Sequence, residues 1–316
     1  MAQPKTSRNA AVGVGEESTY GTAVSRTNWR PIRPGGSLQR RTVTAPIDDM
    51  YTGAGFGSPR RAVDADESGG RVSLMASYTR MGMLLKHALG SLATTGPSGA
   101  GAYVHTYTIG ALPPGLSLEL LRGNATNSEL FEGCRVSGFE LSVAARGRMT
   151  LNLDFIAETS TRPTAGTATF GASDDFILHS QAGTLAFNSV AYTLRSMTLT
   201  GDNGLERRDL LGSIKTAEPA EAQNRVFTMV CEMEDSDDNF YTAEAAQTET
   251  DAVLTFTGSG NNAATITLRN CTVEVSDPVS ARGILVRTVT FYGKPDGTDK
   301  ALTIAVTNDN SSGTVN

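Results

Sequence analysis

The chain has 316 residues, of which 39% are hydrophobic, and a formal net charge of −6. This is enough apolar material for one large core or two modest ones, so wholesale disorder is not expected. The negative charge argues against wrapping of nucleic acid by phosphate neutralisation, which needs a local excess of Lys and Arg. No long apolar run predicts a membrane span, the N-terminus lacks the apolar core of a secretory signal, and an odd number of cysteines fits reduced thiols. We therefore expect a soluble intracellular globular protein.

Helices are few among the predicted elements. Residues 1–27 lack a core pattern and are expected to form an N-terminal arm that becomes ordered on assembly. A first helix is predicted from Tyr78 to Leu89, because its apolar residues fall on one stripe and Gly90 follows as a C-cap. A second is predicted from Asn239 to Thr248, with an N-cap at Asp237, Asp238 or Asn239.

Most other segments alternate apolar and polar residues with the period of a β-strand. In residues 148–155 the apolar positions are Met149, Leu151, Leu153 and Phe155, and every residue between them is polar. The same alternation recurs in residues 139–143, 197–200 and 271–275. One face of each strand therefore belongs to a core and the other to water, which predicts an antiparallel sheet with one solvated side.

Three sets of short matches, in the same order, indicate an internal duplication. In the first set, the run Leu38–Arg41 matches the run Leu205–Arg208. In the other two, a strand that begins at Arg71 matches one that begins at Arg225, and a strand that begins at Cys134 matches one that begins at Cys271. Both Cys-initiated strands lead to an Ala-Arg-Gly turn and one further strand. The predicted organisation is an arm at 1–27, a first unit at 28–158, a linker at 159–175, a second unit at 176–308 and a C-terminal tail at 309–316.

The sequence contains no convergent set of catalytic or metal-binding residues. None of the three histidines has a Cys, Asp or second His at ligand spacing, and neither a nucleophile elbow nor a phosphate-binding loop occurs. Residues 235–239 begin like a calcium loop, but Phe240 stands at its sixth position and Ala246 at its twelfth. We interpret this segment as a turn and helix cap. No catalytic residue, cofactor or metal site is predicted, and an enzyme is not expected.

An ordered series of short motifs resembles a known family. The series comprises Gly13–Ala23, Gly70–Leu74 with the helix end at Leu89-Gly90, Ser117–Leu120, Glu132–Val136 and the run from Leu194 to Asn203. In this order the motifs resemble the tail tube (major tail) proteins of siphophages, which are phages with long, non-contractile tails. The resemblance covers nearly the whole chain, and its specificity lies in the order of the motifs.

The resemblance implies an all-β fold with one or two short helices, in which duplicated β-sandwich units join edge to edge into a ring-shaped β-barrel. Rings would stack through a long loop and a terminal arm into a virion tail tube, the channel through which double-stranded DNA is ejected. Relatives with two units form trimeric rings, so the duplication favours a trimer and leaves a hexamer as the alternative. The implied partners are the chain itself, the tape measure protein and DNA in the lumen without specific binding, and the terminator and distal tail proteins at the ends. Assembly would take place in the bacterial host cytoplasm, without a membrane.

Two sets of charged residues are candidates for function in such a tube. Carboxylates on the wet sheet faces would repel DNA phosphates, so the candidate luminal residues are Glu140, Asp154, Glu232 and Glu274, with an outer-surface position as the alternative. Arginine pairs in or beside the long loops 42–66 and 201–224 are candidates for contacts between subunits or rings, with solvated loop charge as the alternative. They are Arg40, Arg41, Arg60, Arg61, Arg207 and Arg208.

Two other functional classes stay open on the sequence alone. Another ring-forming tail component, such as a terminator or distal tail protein, would cap a tube and would not polymerise. A carbohydrate-binding β-sandwich would need exposed aromatic residues at a groove, yet the single tryptophan, Trp29, lies in the N-terminal region.

Overall fold

The computed structural model describes residues 10–46, 61–98, 101–123, 128–170, 175–281, 283–295, 297 and 300–313. The fold is mostly β, with 58% of residues in strands and 7% in helices. This confirms the prediction of a β-rich fold with two short helices, α1 (Gly82–Leu89) and α2 (Asn239–Ala246).

The described strands are numbered in chain order. Those before residue 170 are β1 (Ala11–Glu17), β2 (Asn28–Pro31), β3 (Thr42–Pro46), β4 (Arg61–Asp66), β5 (Gly69–Met75), β6 (Gly90–Ser98), β7 (Ala102–Ile109), β8 (Gly115–Leu121), β9 (Glu129–Ala144), β10 (Thr150–Ile156) and β11 (Thr159–Thr161). Those after it are β12 (Ala182–Phe187), β13 (Val190–Tyr192), β14 (Leu194–Asp202), β15 (Leu205–Arg208), β16 (Ala217–Glu221), β17 (Val226–Glu234), β18 (Thr250–Thr257), β19 (Ala263–Val275), β20 (Val279–Ala281), β21 (Ile284–Tyr292) and β22 (Leu302–Asn308).

A central antiparallel sheet runs through both halves of the chain. Its strand order is β5, β10, β9, β14, β17 and β21, and β21 then pairs with both β19 and β20. The halves meet where β9 pairs with β14 over seven residues, from Ala144 opposite Ser196 to Gly138 opposite Asp202. The central sheet is therefore continuous across the middle of the chain.

Two flanking sheets extend from the long strands β9 and β19. The N-terminal part of β9 lies in the order β2, β1, β8, β9, β11. The N-terminal part of β19 lies in the order β13, β12, β18, β19, β22, and β22 then pairs with β7 of the β6–β7 hairpin. Each long strand thus belongs to the central sheet at one end and to a flanking sheet at the other.

The order of strand pairing is similar in the two halves. In the central sheet β5 pairs with β10 and β10 with β9, as β17 pairs with β21 and β21 with β19. A helix follows β5 and another follows β17. The β6–β7 hairpin has no counterpart, because residues 247–249 connect α2 directly to β18.

The predicted alternation places one continuous core against one face of the central sheet. Leu151 and Leu153 are fully buried and Phe155 is 4% exposed, because successive side chains of a strand point to opposite faces. In the second half, Phe187, Phe240 and Phe291 pack with ring centroids 5.3 to 6.1 Å apart.

The three cysteines are buried in this core, and burial raises the pKa of each thiol.

The helix boundaries follow from local chemistry. Gly90 ends α1 in the left-handed conformation, with φ 107°, and its N–H bonds to Lys86 O. This end matches the prediction, although the helix begins four residues later than predicted, at Gly82. At α2 the Asp237 carboxylate accepts a hydrogen bond from Asn239 N at 3.0 Å, which agrees with the interpretation of residues 235–239 as a turn and cap.

The N-terminal segment differs from the expected arm. Residues 1–9 of that segment lie outside the described residues, but from Ala11 to Glu17 the chain forms β1, which pairs with β8 along its whole length. Glu17 is 1% exposed and accepts hydrogen bonds from Ser117 Oγ and Gly133 N. Residues 11–17 are therefore part of the folded core of the subunit.

The long loops and the linker also contain strands. The predicted loop 42–66 includes the β3–β4 hairpin, with residues 47–60 outside the described residues, and the loop 201–224 includes the β15–β16 hairpin. The predicted linker 159–175 begins with β11, which pairs with β9. Gly166 in the same segment donates its N–H to the buried Glu119 carboxylate at 2.8 Å.

We predict that Glu16 ties β1 to α1 in a pH-dependent manner. The adjacent His87, whose Nε2 lies 3.3 Å from Glu16 Oε1, and Lys86 together outweigh burial and lower the pKa of Glu16 from 4.5 to about 2. Because the folded-state pKa is the lower one, the stabilisation is present above pH 4.5 and is lost as the pH falls towards 2. Glu16→Gln should remove about 2 kcal/mol of unfolding free energy at neutral pH and little at the acid limit.

Chemical denaturation of both proteins across this pH range measures the difference. The control is Glu249→Gln, an exposed partner of Lys294, which should follow the wild type. A constant difference between Glu16→Gln and wild type at all pH values would contradict the linkage.

Candidate assembly surfaces

The four candidate luminal carboxylates lie on one surface, which we call the polar face. It consists of the central-sheet side chains that point away from the core. One row across seven strands illustrates it, with each residue opposite the next: Ser73, Asn152, Glu140, Thr200, Thr228, Tyr292 and Thr272. Asp154 faces Arg71, Glu232 lies between Ser196 and Thr288, and Glu274 faces Thr290.

Arg71 compensates part of the negative charge at one end of the polar face. Its guanidinium donates two hydrogen bonds to the Asp154 carboxylate, at 2.9 and 2.7 Å, and lies 3.7 Å from Glu140. The hydrogen bonds to Asp154 raise the pKa of Arg71, so it stays charged. Two carboxylates share this cation, so the cluster carries one net negative charge.

Hydroxyl groups hold the other two carboxylates of the polar face. Ser196 Oγ donates to Glu232 at 3.3 Å, and Tyr292 Oη donates to Glu274 at 2.7 Å. The hydrogen bond to Glu274 raises the pKa of the Tyr292 phenol. The surface between these acids is mainly Ser and Thr, which is neutral and hydrated. The polar face therefore combines uncharged hydroxyls with an excess of negative charge.

The arginine candidates separate into different environments. Arg207 is committed within the chain: it donates to the backbone oxygens of Glu67 and Ser68, at 2.9 and 2.7 Å, and to Thr216 Oγ1 at 3.0 Å. Arg208 is exposed, with a 3.4 Å contact to Glu218 O. Arg207 thus fixes the β15–β16 hairpin to the end of β4 within the chain, and its candidate role in contacts between subunits or rings stays a prediction.

The remaining arginines lie at or near the β3–β4 hairpin. Arg40 is exposed, and Arg41 is exposed and pairs with Glu67 at 3.2 Å. Arg61 begins β4, and its side chain lies outside the described part of the structure, as does the whole of Arg60.

Buried polar contacts that the sequence did not predict join the two halves. Asn203 is fully buried, and its Nδ2 donates to the backbone oxygens of Ala88 and Val136, both at 2.9 Å. Arg225 donates to Gly110 O at 2.8 Å. The only sequence signal at Asn203 is its place in an Asp-Asn-Gly turn, which predicts a turn and not a partner.

Two groups of exposed apolar side chains were also not predicted. Leu210, Leu211 and Ile214 lie at the tip of the β15–β16 hairpin, where Leu211 is fully exposed. Val279, Ile284 and Leu285 lie in the β20–β21 hairpin at the last edge of the central sheet, with exposures of 68%, 46% and 51%. Clusters of this kind on a sheet edge and a hairpin tip are typical of contact surfaces.

A comparison with family models decides the broad class. Residues 7–307 match the model of the phage tail tube protein family. The chain belongs to the phage tail tube protein family. No curated protein matches the chain.

Membership of the tail tube family identifies a structural protein of the virion tail, in a family that is generally non-enzymatic. Among the described residues, no group of three or more His, Cys, Asp or Glu side chains is arranged to hold a metal ion. No helix in the described ranges is both long and apolar enough to cross a bilayer. The surfaces of interest are therefore the sheet edges, the hairpins and the polar face.

We predict that Arg207 stabilises the isolated tail tube subunit and that Arg208 does not. Arg207→Ala leaves the Glu67 and Ser68 carbonyls without their charged donor and should lower the free energy of unfolding by about 1–3 kcal/mol. Arg208→Ala, the matched control, should change it by less than about 0.5 kcal/mol, because the residue is exposed. Urea denaturation of the unassembled subunits measures both values, and equal values would contradict the assignment.

Proposed function

We propose that this chain is the tube-forming subunit of a siphophage tail, and that it polymerises as stacked rings around a channel for double-stranded DNA. The observation that carries the proposal is the central sheet, which is continuous across both halves and has one polar, net-negative face. A sheet of this kind lines a water-filled channel once its two outer edges join those of neighbouring copies.

The proposed ring is a trimer of chains that each carry two related units. Support comes from the strand register as well as the order of pairing. Val136, two residues after Cys134, faces Phe155, and Val273, two residues after Cys271, faces Phe291. In both halves a further strand flanks the second strand of this pair, β5 beside β10 and β17 beside β21, which supports equivalent positions for Cys134 and Cys271.

The strand register also tests which of the sequence matches between the two halves would join equivalent positions. Gly70 faces Phe155 and Met229 faces Phe291, so the counterpart of Arg71 is Val230. The match of Arg71 with Arg225 is therefore out of register. The duplication we propose depends on pairing order and on the cysteine strands.

The junction between the two halves supplies a template for the junction between neighbouring chains. Within the chain, β14 lies between β9 and β17. In the first half, residues 33–39 lie beside β5 in the corresponding place, although they form no regular strand. Arg33 N bonds to Ser73 O, Ser37 N bonds to Arg71 O, and Gln39 forms an isolated bridge with Gly69. The counterpart of β9 is the segment from Thr272 to Ala281. We propose that residues 33–39 of one copy pair with this segment of the next.

In the proposed ring the polar face lines the lumen. Glu140, Asp154, Glu232 and Glu274 then face the DNA, and like charge keeps the phosphates from binding. The hydroxyl-rich surface between the carboxylates stays hydrated and offers no basic cluster that would hold a passing duplex. DNA and the tape measure protein would thus occupy the lumen without specific contacts.

The hairpins are the proposed contacts between rings. The β15–β16 tip presents exposed leucines, and the β3–β4 hairpin presents Arg40 and Arg41. Terminator and distal tail proteins would cover these surfaces at the two ends of the tube in the virion. Assembly in the host cytoplasm belongs to the same proposal.

Negative-stain electron microscopy of the purified chain tests the assembly directly. We expect hollow tubes whose end-on views show threefold-modulated rings. Sixfold rings of whole chains would keep the tube and overturn the trimer, and single rings that never stack would favour a terminator or distal tail protein. Monomers at all protein and salt concentrations would contradict the proposed function.

A charge reversal tests the orientation of the polar face. In Glu232→Lys/Glu274→Lys tubes, two new cations per chain should line the lumen and retain DNA, with a retention that falls as salt rises. The matched control, Glu249→Lys/Asp309→Lys, makes the same change of charge at exposed residues outside the polar face. DNA retention after incubation and washing is measured for both, and equal retention would contradict a luminal polar face.

A further inference from the structure

Leu285 is exposed although it lies on the core-facing side of the central sheet. Its strand β21 directs Val289 and Phe291 into the core, and both are fully buried, but Leu285 is 51% exposed. Its counterpart in the first half is Met149, which is 1% exposed. The two sites share their backbone geometry: Ala76 N donates to Met149 O at 3.0 Å, and Asp235 N donates to Leu285 O at 3.0 Å.

Met149 is buried, unlike Leu285, because the segment that precedes β12 covers it. Ile177 is fully buried against the Met149 site, and it exchanges hydrogen bonds with both strands there: Met149 N donates to Ile177 O at 2.8 Å, and Ile177 N donates to Ala76 O at 3.1 Å. Short bridges between Ser77 and Phe176 and between Arg148 and Leu178 continue the contact. The chain that leads into the second half thus covers the edge of the first half.

The corresponding cover for Leu285 is the chain that leads into a first half. Val12 and Leu185 are counterparts, because they face Leu120 and Leu254 in equivalent strand pairs. Ile177 lies eight residues before Leu185, and the residue eight positions before Val12 is Pro4. Within the chain, the segment before the second half covers the edge of the first half. By the same relation, the segment before β1 would cover the edge of the second half of the neighbouring copy in the ring.

Charge complementarity supports the same pairing. The strand end next to Leu285 carries Glu234, Asp235, Asp237 and Asp238, all of them exposed except Asp235, which is half-buried. Asp235 is paired with Arg287, and Glu234 lies 3.4 Å from Arg195. Residues 1–9 contain Lys5 and Arg8 and no acidic residue. A basic segment next to exposed carboxylates is favourable, and the favourable energy increases as water is excluded.

We propose that residues 1–9 of one copy bind across Leu285 and the acidic strand end 234–238 of a second copy, as residues 175–181 bind across Met149 within the chain. This inference rests on the proposed ring. It makes the N-terminal segment a lateral seal between neighbours in one ring, and Leu285 its apolar contact.

A cysteine pair tests the contact in the full-length protein. In assembled tubes of Pro4→Cys/Leu285→Cys, oxidation should link each chain to its neighbour and give covalent dimers and trimers on a non-reducing gel. The control pair is Pro4→Cys/Val279→Cys, in which the second thiol lies on the opposite face of the same hairpin, and it should give little product. The native cysteines are buried and do not compete.

Thiol labelling gives a second readout that does not depend on disulfide geometry. In tubes, Leu285→Cys should react with a maleimide on the order of tenfold more slowly than in unassembled subunits, because a covered thiol reacts only after local opening. Deletion of residues 2–9 should remove this protection from Leu285→Cys and leave the labelling of Val279→Cys unchanged.

The outcomes separate this inference from the proposed function. Tubes that form without a cross-link at Leu285, and in which Leu285→Cys labels equally with and without residues 2–9, would overturn the inference and leave the tube intact. If wild-type protein forms neither rings nor tubes under any condition, the proposed function and this inference both fail.

Discussion

The pairing of β9 with β14 is the interaction on which the rest of the structure depends. A sheet strand with an unpaired edge exposes a row of backbone donors and acceptors that any other strand can use. Here that row is satisfied by the second half of the same chain over seven residue pairs. The pairing makes one central sheet out of two halves and aligns their polar sides. It also brings Asn203 of the second half into the buried position where it donates to two backbone oxygens of the first half.

The distribution of charge follows from the same continuity. Alternation within a strand decides only on which side of that strand an acidic residue lies. It does not bring the acidic residues of different strands together. Because the strands are in register across the central sheet, Glu140, Asp154, Glu232 and Glu274 come together on one surface. Arg71 reduces the repulsion where two of them meet, through a charge-assisted pair that is about 40% exposed and therefore modest in energy.

Much of the fold and part of the candidate surface could be predicted from the sequence, because period-2 alternation encodes which side of a strand faces the core. The alternation in residues 148–155 and the glycine after Leu89 gave the sheet face and the helix end correctly. β1 was missed because its two glutamates look like surface residues, whereas Glu16 and Glu17 are held by partners distant in sequence: Lys86, His87, Ser117 and Gly133. The intrachain contacts of Arg207 were missed for the same reason, since its main partners are backbone carbonyls that no residue pattern reveals. Strand register is likewise set by pairing, which explains why the sequence match of Arg71 with Arg225 does not join equivalent positions of the proposed duplication.

The β6–β7 hairpin occurs in one half only, and through β7 it extends the flanking sheet of the other half at β22. In a ring of three such chains, the inner wall would repeat six times while this hairpin occurs three times. Adjacent sites on the outside of the tube would then be chemically distinct, although the channel that they surround is nearly uniform. In the proposed trimeric tube, the lining would thus stay regular for unhindered passage, while the exterior would differ at every second position.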